Sequence, residues 1–284
     1  MNTNDLKIFE AVASQGSFTK AAAAMFTVQS NVTARIKSLE DEFGTKLFTR
    51  NSRKVELTPG GQTLMHYCKQ IAHLVEEAKT TLQSSTVVSG HLKIGCIETT
   101  MALKVPKILK DFKDAYPGVQ LEFTSENRST LINDVLNYRI DAAFVSAPVI
   151  SKELDQLQVR TEQLVILRAA SGPKLEDLIA TQPLTIVVFG EGCIFRSRLE
   201  SWLSYKSVVH YNCIVLNSIE GVINFVEAGL GISILPAEVV ESYYSGRQLK
   251  QHALNKELGT MNTVLVFRKE MEFRALTAFL EMYR

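Results

Sequence analysis

The apolar positions between residues 18 and 43 predict two short helices joined by a tight turn. The first helix covers residues 18–25 behind the N-cap Ser17, and its four consecutive alanines allow another helix to approach closely. The second helix begins at Gln29, and its apolar positions recur at spacings of four, three and four. They therefore share one face, which consists of Val32, Ile36, Leu39 and Phe43.

The opposite face of the second helix carries short polar and basic side chains. A helix that is held from behind and presents such a face can enter the DNA major groove and contact base edges. An ordinary surface helix would carry more Glu and Lys, so DNA reading is the favoured interpretation. The residues expected to lie against DNA are Gln29, Ser30, Asn31, Thr33, Ala34, Arg35 and Lys37.

Three basic residues follow in a predicted β-hairpin wing around Asn51 and Ser52. The net charge of the 284 residues is only +1, so no global field draws the protein to nucleic acid. Affinity for DNA must therefore come from local placement of charge. A solvated charged turn is the ordinary alternative, but beside a recognition helix we expect phosphate contacts from Arg50, Arg53 and Lys54.

The next segment predicts one long helix that runs to about residue 84. Thr58 can cap it, and Pro59 suits its first position. Its apolar positions alternate at spacings of four and three, which favours pairing with a second helix in a dimer. The alternative is an amphipathic helix that lies on its own domain. The predicted dimer seam consists of Leu64, Cys68, Ile71, Val75, Ala78 and Leu82, and residues 84–90 predict a hinge of small residues.

From residue 91 onward, strand and helix patterns alternate. Strands are predicted at 91–97, 119–125 and 141–147, with helices at 101–116 and 130–138 between them. A second unit follows, with strands near 163–168, 184–189 and 208–216, helices at 194–205 and 218–228, a strand over ISILP and a final helix over EFRALTAFLEMY. Repeated alternation with buried, β-branched strands favours parallel sheet covered by helices, in two lobes.

The first part of the chain closely resembles the winged helix-turn-helix of LysR-type transcriptional regulators. The residues that carry the resemblance are Ala21, Ala22, Gln29, Ser30, Val32, Thr33, Ile36, Leu39, Glu40, Phe43, Gly44, Leu47, Phe48 and Arg50. The segment LTPGG, at residues 57–61, follows where that family often has a similar one. Val28, Ser30, Asn31 and Ala34 depart from the family's usual residues, and Arg35 is the alternative source of a basic contact. The resemblance extends over essentially the whole chain.

This resemblance implies an all-α winged helix-turn-helix DNA-binding domain at 1–58 and a linker and dimerisation helix with its hinge at 59–89. An α/β, two-lobed, periplasmic-binding-protein-like effector domain would follow at 90–284. Lobe I would comprise 90–161 and 267–284, and lobe II 162–266, with crossings near Arg160 and Phe267. A bacterial transcriptional regulator is expected, dimeric through the linker helix and homotetrameric through its effector domains. Two-fold pairing predicts a DNA duplex with dyad symmetry.

A two-lobed domain offers a cleft lined by strand ends and helix amino ends, where backbone N–H groups favour an anion. The family resemblance implies inducer contacts from Ser and Thr at such places, although simple N-capping is compatible with the same residues. We expect a small anionic metabolite that switches DNA binding by preferring one arrangement of the lobes. The expected effector contacts are Thr99, Thr100, Ser129, Ser146, Cys193 and Arg196, whereas a salt bridge is the favoured role for Arg128.

The segment from Gly192 to Arg196 also resembles the place where the peroxide-sensing branch of this family carries its reactive cysteine. A helix amino end and a neighbouring guanidinium would lower the pKa of the Cys193 thiol. However, the sequence has no partner cysteine shortly downstream, and Cys213 lies twenty residues on. A thiol-based redox sensor acting through Cys193 is therefore the alternative function.

Other classes of protein fit the sequence less well. It contains no G-x-S-x-G, H-E-x-x-H or G-x-x-x-x-G-K-[ST] motif, its five histidines are scattered and its four cysteines form no C-x-x-C pair. We therefore expect no enzyme, metal or cofactor. The start MNTNDLKIFE is unlike an export signal and no apolar run approaches ~20 residues, so we expect a cytoplasmic protein without membrane contact. A solute-binding protein would leave the first ninety residues unexplained.

Overall fold

The structure is a computed structural model that describes residues 1–51, 54–83, 88–181, 183–269, 271 and 273–283. The chain forms two compact units, Met1–Ser85 and Thr86–Arg284. Within the described residues, no helix combines the length and the apolar character needed to cross a membrane.

The first unit is a helix-turn-helix with a β-hairpin and a long helix. Its elements are α1 (Thr3–Gln15), α2 (Phe18–Ala24), α3 (Gln29–Phe43), β1 (Phe48–Asn51), β2 (Lys54–Leu57) and α4 (Pro59–Gln83). Ser17 caps α2 through the N–H of Lys20, and the Thr58 hydroxyl accepts from the N–H of Gly61 at the start of α4. The predictions of the two short helices, the hairpin and the capped long helix are therefore confirmed.

The core of the first unit accounts for the spacing pattern of α3, with one exception. Val32, Ile36 and Leu39 are buried against α1 and α2, where Ala21 and Ala22 allow the helices to approach closely. Phe43 was predicted to lie on the buried face, but its side chain is 44% exposed. It is the last residue of α3, one turn beyond Leu39, so it extends past the layer that the core covers.

The second unit is a two-lobed α/β structure. Its strands are β3 (Gly90–Cys96), β4 (Val119–Ser125), β5 (Ala142–Ser146), β6 (Leu154–Ala169), β7 (Leu184–Val188), β8 (Tyr211–Val215), β9 (Ser233–Pro236), β10 (Leu249–Ala253) and β11 (Thr260–Arg268). Its helices are α5 (Glu98–Leu103), α6 (Val105–Ala115), α7 (Arg128–Leu136), α8 (Leu175–Ala180), α9 (Ile194–Tyr205), α10 (Ile219–Glu227), α11 (Ala237–Tyr243), α12 (Lys256–Gly259) and α13 (Arg274–Glu281).

The sheet is mixed rather than purely parallel. The strands follow the order β10-β6-β11-β5-β3-β4, with β9 also paired to β6, and β7 and β8 form a separate parallel pair. Strands β3, β4 and β5 are parallel, as the alternation predicted, whereas β6 and β11 run antiparallel to their partners. One lobe buries the two faces of β3–β5 and β11 under α6, α13 and α7, and the other packs α9, α10 and α11 on β6, β7 and β9.

Two parts of the predicted pattern need correction. The helix expected at 101–116 is two helices that meet at Lys104, because Pro106 has no N–H to continue the ladder at the start of α6. Strand β6 begins at Leu154, about nine residues before the predicted strand. The sequence pattern missed this first part because residues 155–163 are mostly polar and none of them is fully buried. The second crossing strand is β11, and the exact domain and lobe boundaries stay predictions.

Candidate functional site

The outward face of α3 is polar and accessible. Gln29, Ser30, Ala34 and Lys37 are exposed, on the side of the helix away from its buried stripe. Such a helix presents the side chains of its first three turns to a groove while its other side remains in the core. This part of the predicted DNA-binding set therefore lies together on one surface.

Asn31 and Thr33 are at the edge of that face and take part in local hydrogen bonds. The Asn31 amide Nδ2 donates to the Thr27 hydroxyl at 2.9 Å, which ties the turn to the first turn of α3. The Thr33 hydroxyl donates to the carbonyl of Gln29 at 3.0 Å and retains its acceptor lone pairs. These two residues support the start of α3 as well as lying beside its exposed face.

Arg35 has an ionic partner inside the first unit. Its Nη1 lies 3.1 Å from Oδ1 of Asp5, whose side chain is only 9% exposed. Asp5 also accepts from the backbone N–H of Asn2, so it joins the start of α1 to α3. The charge of Arg35 thus already serves the packing of α1 against α3.

The wing is present as an antiparallel hairpin. Strands β1 and β2 pair from Phe48 with Leu57 to Asn51 with Lys54. The side chains of Arg50 and Lys54, and the whole of Arg53, lie outside the described residues. Their predicted phosphate contacts stay a prediction.

Helix α4 uses its first turns for the core of its own unit. Leu64 and Cys68, predicted in the dimer seam, are 8% and 2% exposed and pack with the core residues of α1 and the hairpin. Burial raises the pKa of the Cys68 thiol to about 12. The prediction of an interchain seam through these two residues is therefore corrected, because that face of the helix covers the winged domain.

The exposed apolar residues of α4 follow a shifted seam. Tyr67 is 53% exposed, Leu74 60% and Leu82 87%, and with the half-buried Ile71 and the exposed Ala78 they keep a three-and-four spacing as far as Ala78. The sequence prediction missed Tyr67 and Leu74. The sequence does contain a signal for them, because an apolar set with the same alternation of four and three begins at Tyr67, about one turn after Leu64. Val75 from the predicted seam is half-buried.

Two adjoining cavities form a cleft in the second unit. Their volumes are about 470 and 430 Å³, and both are lined by Arg128, Ser146, Glu191 and the start of α9. Of the predicted effector contacts, Ser146 and Cys193 line both cavities, Thr99 lines one and Arg196 the other. The structure thus brings four of the six residues together.

Thr100 and Ser129 lie elsewhere. Successive residues of a helix point about 100° apart, so Thr100 faces a separate cavity of about 430 Å³ that Lys104 and Arg160 also line. Ser129 lines neither of the two cavities that form the cleft. Asn127 rather than Ser129 caps α7, since its side chain accepts from the N–H of Thr130. Both residues were expected to contact the effector, and neither lines the cleft, so their effector contacts stay predictions.

Glu98 is a cleft residue that the sequence prediction missed. It is the first residue of α5, in one lobe, and its Oε1 accepts from the backbone N–H of Ile219 in the other lobe at 3.4 Å. Its Oε2 is buried without a hydrogen-bond partner among the described residues. Burial raises the pKa of the Glu98 carboxyl. A carboxylate directly after a strand and at a helix start was the signal that could have found it.

Both arginines of the cleft already have partners within the protein. Arg128 donates to the carbonyls of Ser146 and Pro148 at 3.0 and 2.6 Å, and Arg196 pairs with Glu200 at 2.9 Å. Arg128 was expected in a salt bridge, but in the structure it donates to these backbone carbonyls. The carboxylates that line the two cavities are Glu98, Glu126, Glu191 and Glu200. The lining is therefore acidic, with hydroxyl groups from Thr99 and Ser146.

The environment of Cys193 does not favour a reactive thiolate. Burial raises the pKa of its thiol, and this effect exceeds the lowering by the N–H groups and charge at the start of α9. The four cysteines are free, and Cys213 is exposed on β8. The structure gives the redox-sensing alternative no support.

Comparisons with known proteins agree with this architecture. A family model described as a bacterial regulatory helix-turn-helix protein of the lysR family matches residues 3–62, and one described as the LysR substrate binding domain matches residues 85–284. The chain is 38% identical over 284 residues to the HTH-type transcriptional regulator YusT of Bacillus subtilis, covering 100% of this chain and 95% of that protein. It is 35% identical over 285 residues to GltR of the same organism, covering 100% and 96%.

Solved structures share the fold. A full-length, singly substituted OxyR from Pseudomonas aeruginosa superposes with a TM-score of 0.76 and 20% identity, covering 100% of this chain and 95% of that chain. Full-length CbnR in complex with its target DNA gives a TM-score of 0.71 and 20% identity, covering 100% and 99%. At this level of identity, the likeness concerns the fold alone.

A helix-turn-helix unit followed by a two-lobed unit with an internal cleft defines a DNA-binding transcriptional regulator with an effector-binding domain, and not an enzyme. Both units match their family models, and relatives more than 30% identical cover the whole chain. The chain belongs to the LysR family of bacterial transcriptional regulators.

Proposed function

We propose that the protein is a cytoplasmic regulator that reads a dyad-symmetric DNA site through the exposed face of α3. The observation that carries this proposal is the division of that helix into a buried apolar stripe and an exposed polar face with Gln29, Ser30 and Lys37. The buried stripe fixes the helix, and the polar face supplies groups that can bond to base edges. Arg50, Arg53 and Lys54 of the wing would contact phosphates.

Pairing of two chains would set the spacing of the two DNA half-sites. We infer a homodimer through α4, with Tyr67, Leu74 and Leu82 as the apolar contacts, because these side chains are large, apolar and exposed. The family resemblance supports further association of the effector units into a homotetramer. A duplex with two inverted half-sites is the DNA partner that such two-fold pairing requires.

A small-molecule effector would bind in the cleft between the lobes. The hydroxyls of Thr99 and Ser146 and the amino end of α9 suit an anionic group, in accordance with the sequence prediction. Glu98 and Glu191 suit hydrogen-bond donors on the same molecule. An effector that prefers one arrangement of the lobes would change DNA affinity by its differential binding energy, of which about 1–3 kcal/mol is ordinary.

The DNA-reading role is tested by substitutions on α3. Gln29→Ala should lower the affinity for the cognate site by about 1–3 kcal/mol and relax the preference at one base position. Lys37→Ala should also weaken binding, whereas Lys7→Ala, an exposed lysine on α1, should not. Binding of the full-length variants to a set of single-base variants of the site, followed by gel shift, measures both effects. Equal behaviour of Gln29→Ala and Lys7→Ala would refute the assignment.

A further inference from the structure

An exposed aromatic ring lies directly before the recognition helix. Phe26, in the turn between α2 and α3, is 99% exposed, and its neighbour Val28 is 64% exposed. Both precede Gln29, the first residue of α3, by three residues or fewer. Exposure of a phenyl ring to water is unfavourable, and this ring lies beside the helix that is proposed to read DNA.

The backbone at Phe26 adds a second cost. Its φ is 51°, in the left-handed region that disfavours bulky side chains. The N–H of Phe26 bonds to the carbonyl of Ala23 at 3.2 Å, and the N–H of Thr27 bonds to the carbonyl of Ala22 at 2.9 Å. These two bonds form the Schellman ending of a helix, in which Gly or Asn usually takes the left-handed place. The chain thus carries Phe where local folding favours another residue.

The turn that holds Phe26 is well fixed. The Asn31 side chain bonds to the Thr27 hydroxyl across the start of α3, and the two backbone bonds close the end of α2. The backbone from which the ring extends is therefore held in one position. The amino end of a recognition helix is the part that approaches the base edges of DNA, so this turn is expected to lie at the edge of the major groove.

The small size of the apolar patch argues against a protein partner. Phe26 and Val28 offer one ring and one isopropyl group, far less than the roughly 800 Å² that each side of a stable protein interface buries. A thymine presents one 5-methyl group in the major groove, and an apolar side chain such as Phe is a normal contact for it. The ring and the methyl group are both apolar, and the methyl group is small enough to be covered by a single ring.

We propose that Phe26 is a specificity-determining residue that packs its ring against the 5-methyl group of one thymine in each half-site. This inference rests on the proposed function, since it requires α3 to enter the major groove. It assigns to the turn a part of base recognition that the polar residues of α3 do not provide.

Uracil, which is thymine without the methyl group, gives a direct test. A duplex is first selected from random DNA by its binding to the full-length wild-type protein, and its thymines are then replaced singly by uracil. At one position in each half-site, the wild type should lose about fourfold in affinity, the equivalent of about 0.8 kcal/mol for one buried methyl-sized group. Phe26→Asn should bind the thymine duplex more weakly by at least that factor and lose nothing further with uracil at that position.

A melting measurement on Phe26→Asn and two further variants make the outcome decisive. Asn tolerates the left-handed conformation, so Phe26→Asn should melt at the same temperature as the wild type or higher. Phe26→Tyr, which keeps the ring, should retain the sensitivity to uracil. Tyr205→Asn removes a 70% exposed aromatic from the second unit and should leave DNA affinity unchanged.

The inference is overturned if Phe26→Asn keeps wild-type affinity, or if it loses the same factor on thymine and uracil duplexes at every position. A change of oligomeric state in Phe26→Asn without a change in uracil sensitivity also overturns it. An unaltered base preference in Gln29→Ala, or failure to select any duplex, would instead refute the proposed function and the inference with it.

Discussion

The carboxylate of Glu98 lies where the two lobes meet, with only one of its oxygens hydrogen-bonded among the described residues. Its pKa is raised from the ordinary 4.5 because burial disfavours the charged form. The folded protein therefore binds this proton more tightly than the unfolded chain does. Its contribution to stability is fully present below pH 4.5 and is lost as the pH rises through the raised folded-state pKa.

We expect Glu98→Gln to remove this pH dependence. Relative to the wild type, the urea midpoint of the variant should increase as the pH rises above 4.5, because the variant no longer buries a charge. Trp202 is the one tryptophan of the chain and is 7% exposed in the core of its lobe, so its fluorescence reports unfolding of that unit. Glu241→Gln, at an exposed position of α11, serves as the control. Parallel pH curves for Glu98→Gln and the wild type would contradict the prediction.

Single residues also show what sequence patterns leave open. The helical period placed Ser30 and Lys37 on the outward face of α3, and the structure agrees. It did not reveal that Arg35 pairs with Asp5, because that partner comes from another helix thirty positions earlier in the chain. Partners of long charged side chains depend on tertiary packing, which periodicity within one element does not contain.

At the scale of the element, the proposed function gives α4 two tasks along its length: covering the core of the winged domain and pairing with a second chain. Its first turns cover the core of the winged domain through Leu64 and Cys68, whereas Leu74 and Leu82 remain exposed. The three-and-four spacing predicted the long helix but not this division. The stripe with Leu64 and Cys68 and the stripe with Tyr67 and Leu74 have the same period, so the sequence pattern cannot distinguish them. The packing of α1 and the hairpin decides which of the two is buried.

A matched pair of substitutions separates the two tasks. Leu64→Ala should reduce the free energy of unfolding of the first unit by about 2–5 kcal/mol, because it leaves a cavity in a buried position. Leu74→Ala should change that free energy by less than about 0.5 kcal/mol, because the side chain is exposed. It should instead weaken dimerisation about tenfold in sedimentation equilibrium, which corresponds to about 1.4 kcal/mol. Wild-type dimerisation of Leu74→Ala would exclude the shifted seam.

Elements with a regular apolar period were predictable, and those without one were not. Helix α9 begins and ends where the pattern placed it, at Ile194 and Tyr205. The first half of β6, by contrast, has few buried positions because it forms the link between the lobes. The cleft residues were partly predictable for the same reason: strand ends gave Thr99 and Ser146, but the acidic lining depends on how the lobes meet.

At the scale of the whole molecule, the two adjacent threonines of α5 offer a test of effector coupling. Thr99 lines the cleft and Thr100 lines the separate cavity, so the same substitution at each position separates the two spaces. Thr99→Val should abolish the change in DNA affinity that an effector causes, while basal DNA binding is retained. Thr100→Val should keep the response.

The effector for this measurement is the metabolite that most raises the melting temperature of the full-length protein in a screen, since a ligand that binds the folded state stabilises it. Fluorescence anisotropy with a labelled duplex, with and without that metabolite, gives the ratio of affinities. If Thr99→Val keeps the wild-type ratio of DNA affinities with and without the metabolite, the Thr99 hydroxyl has no part in the coupling. If only Thr100→Val loses this change in affinity, the effector binds in the other cavity.

Strand β6 runs unbroken for 16 residues, pairing first with β11 and then with β9 and β10. The one irregularity in its ladder with β11 lies between Thr263 and Val264, opposite the link from one lobe to the other. A continuous ribbon resists bending in its own plane far more than it resists torsion. We therefore expect the two lobes to rotate relative to each other by small angles about this ribbon, rather than to open by a hinge motion. Effector binding in the cleft would then be transmitted as a rotation of one lobe.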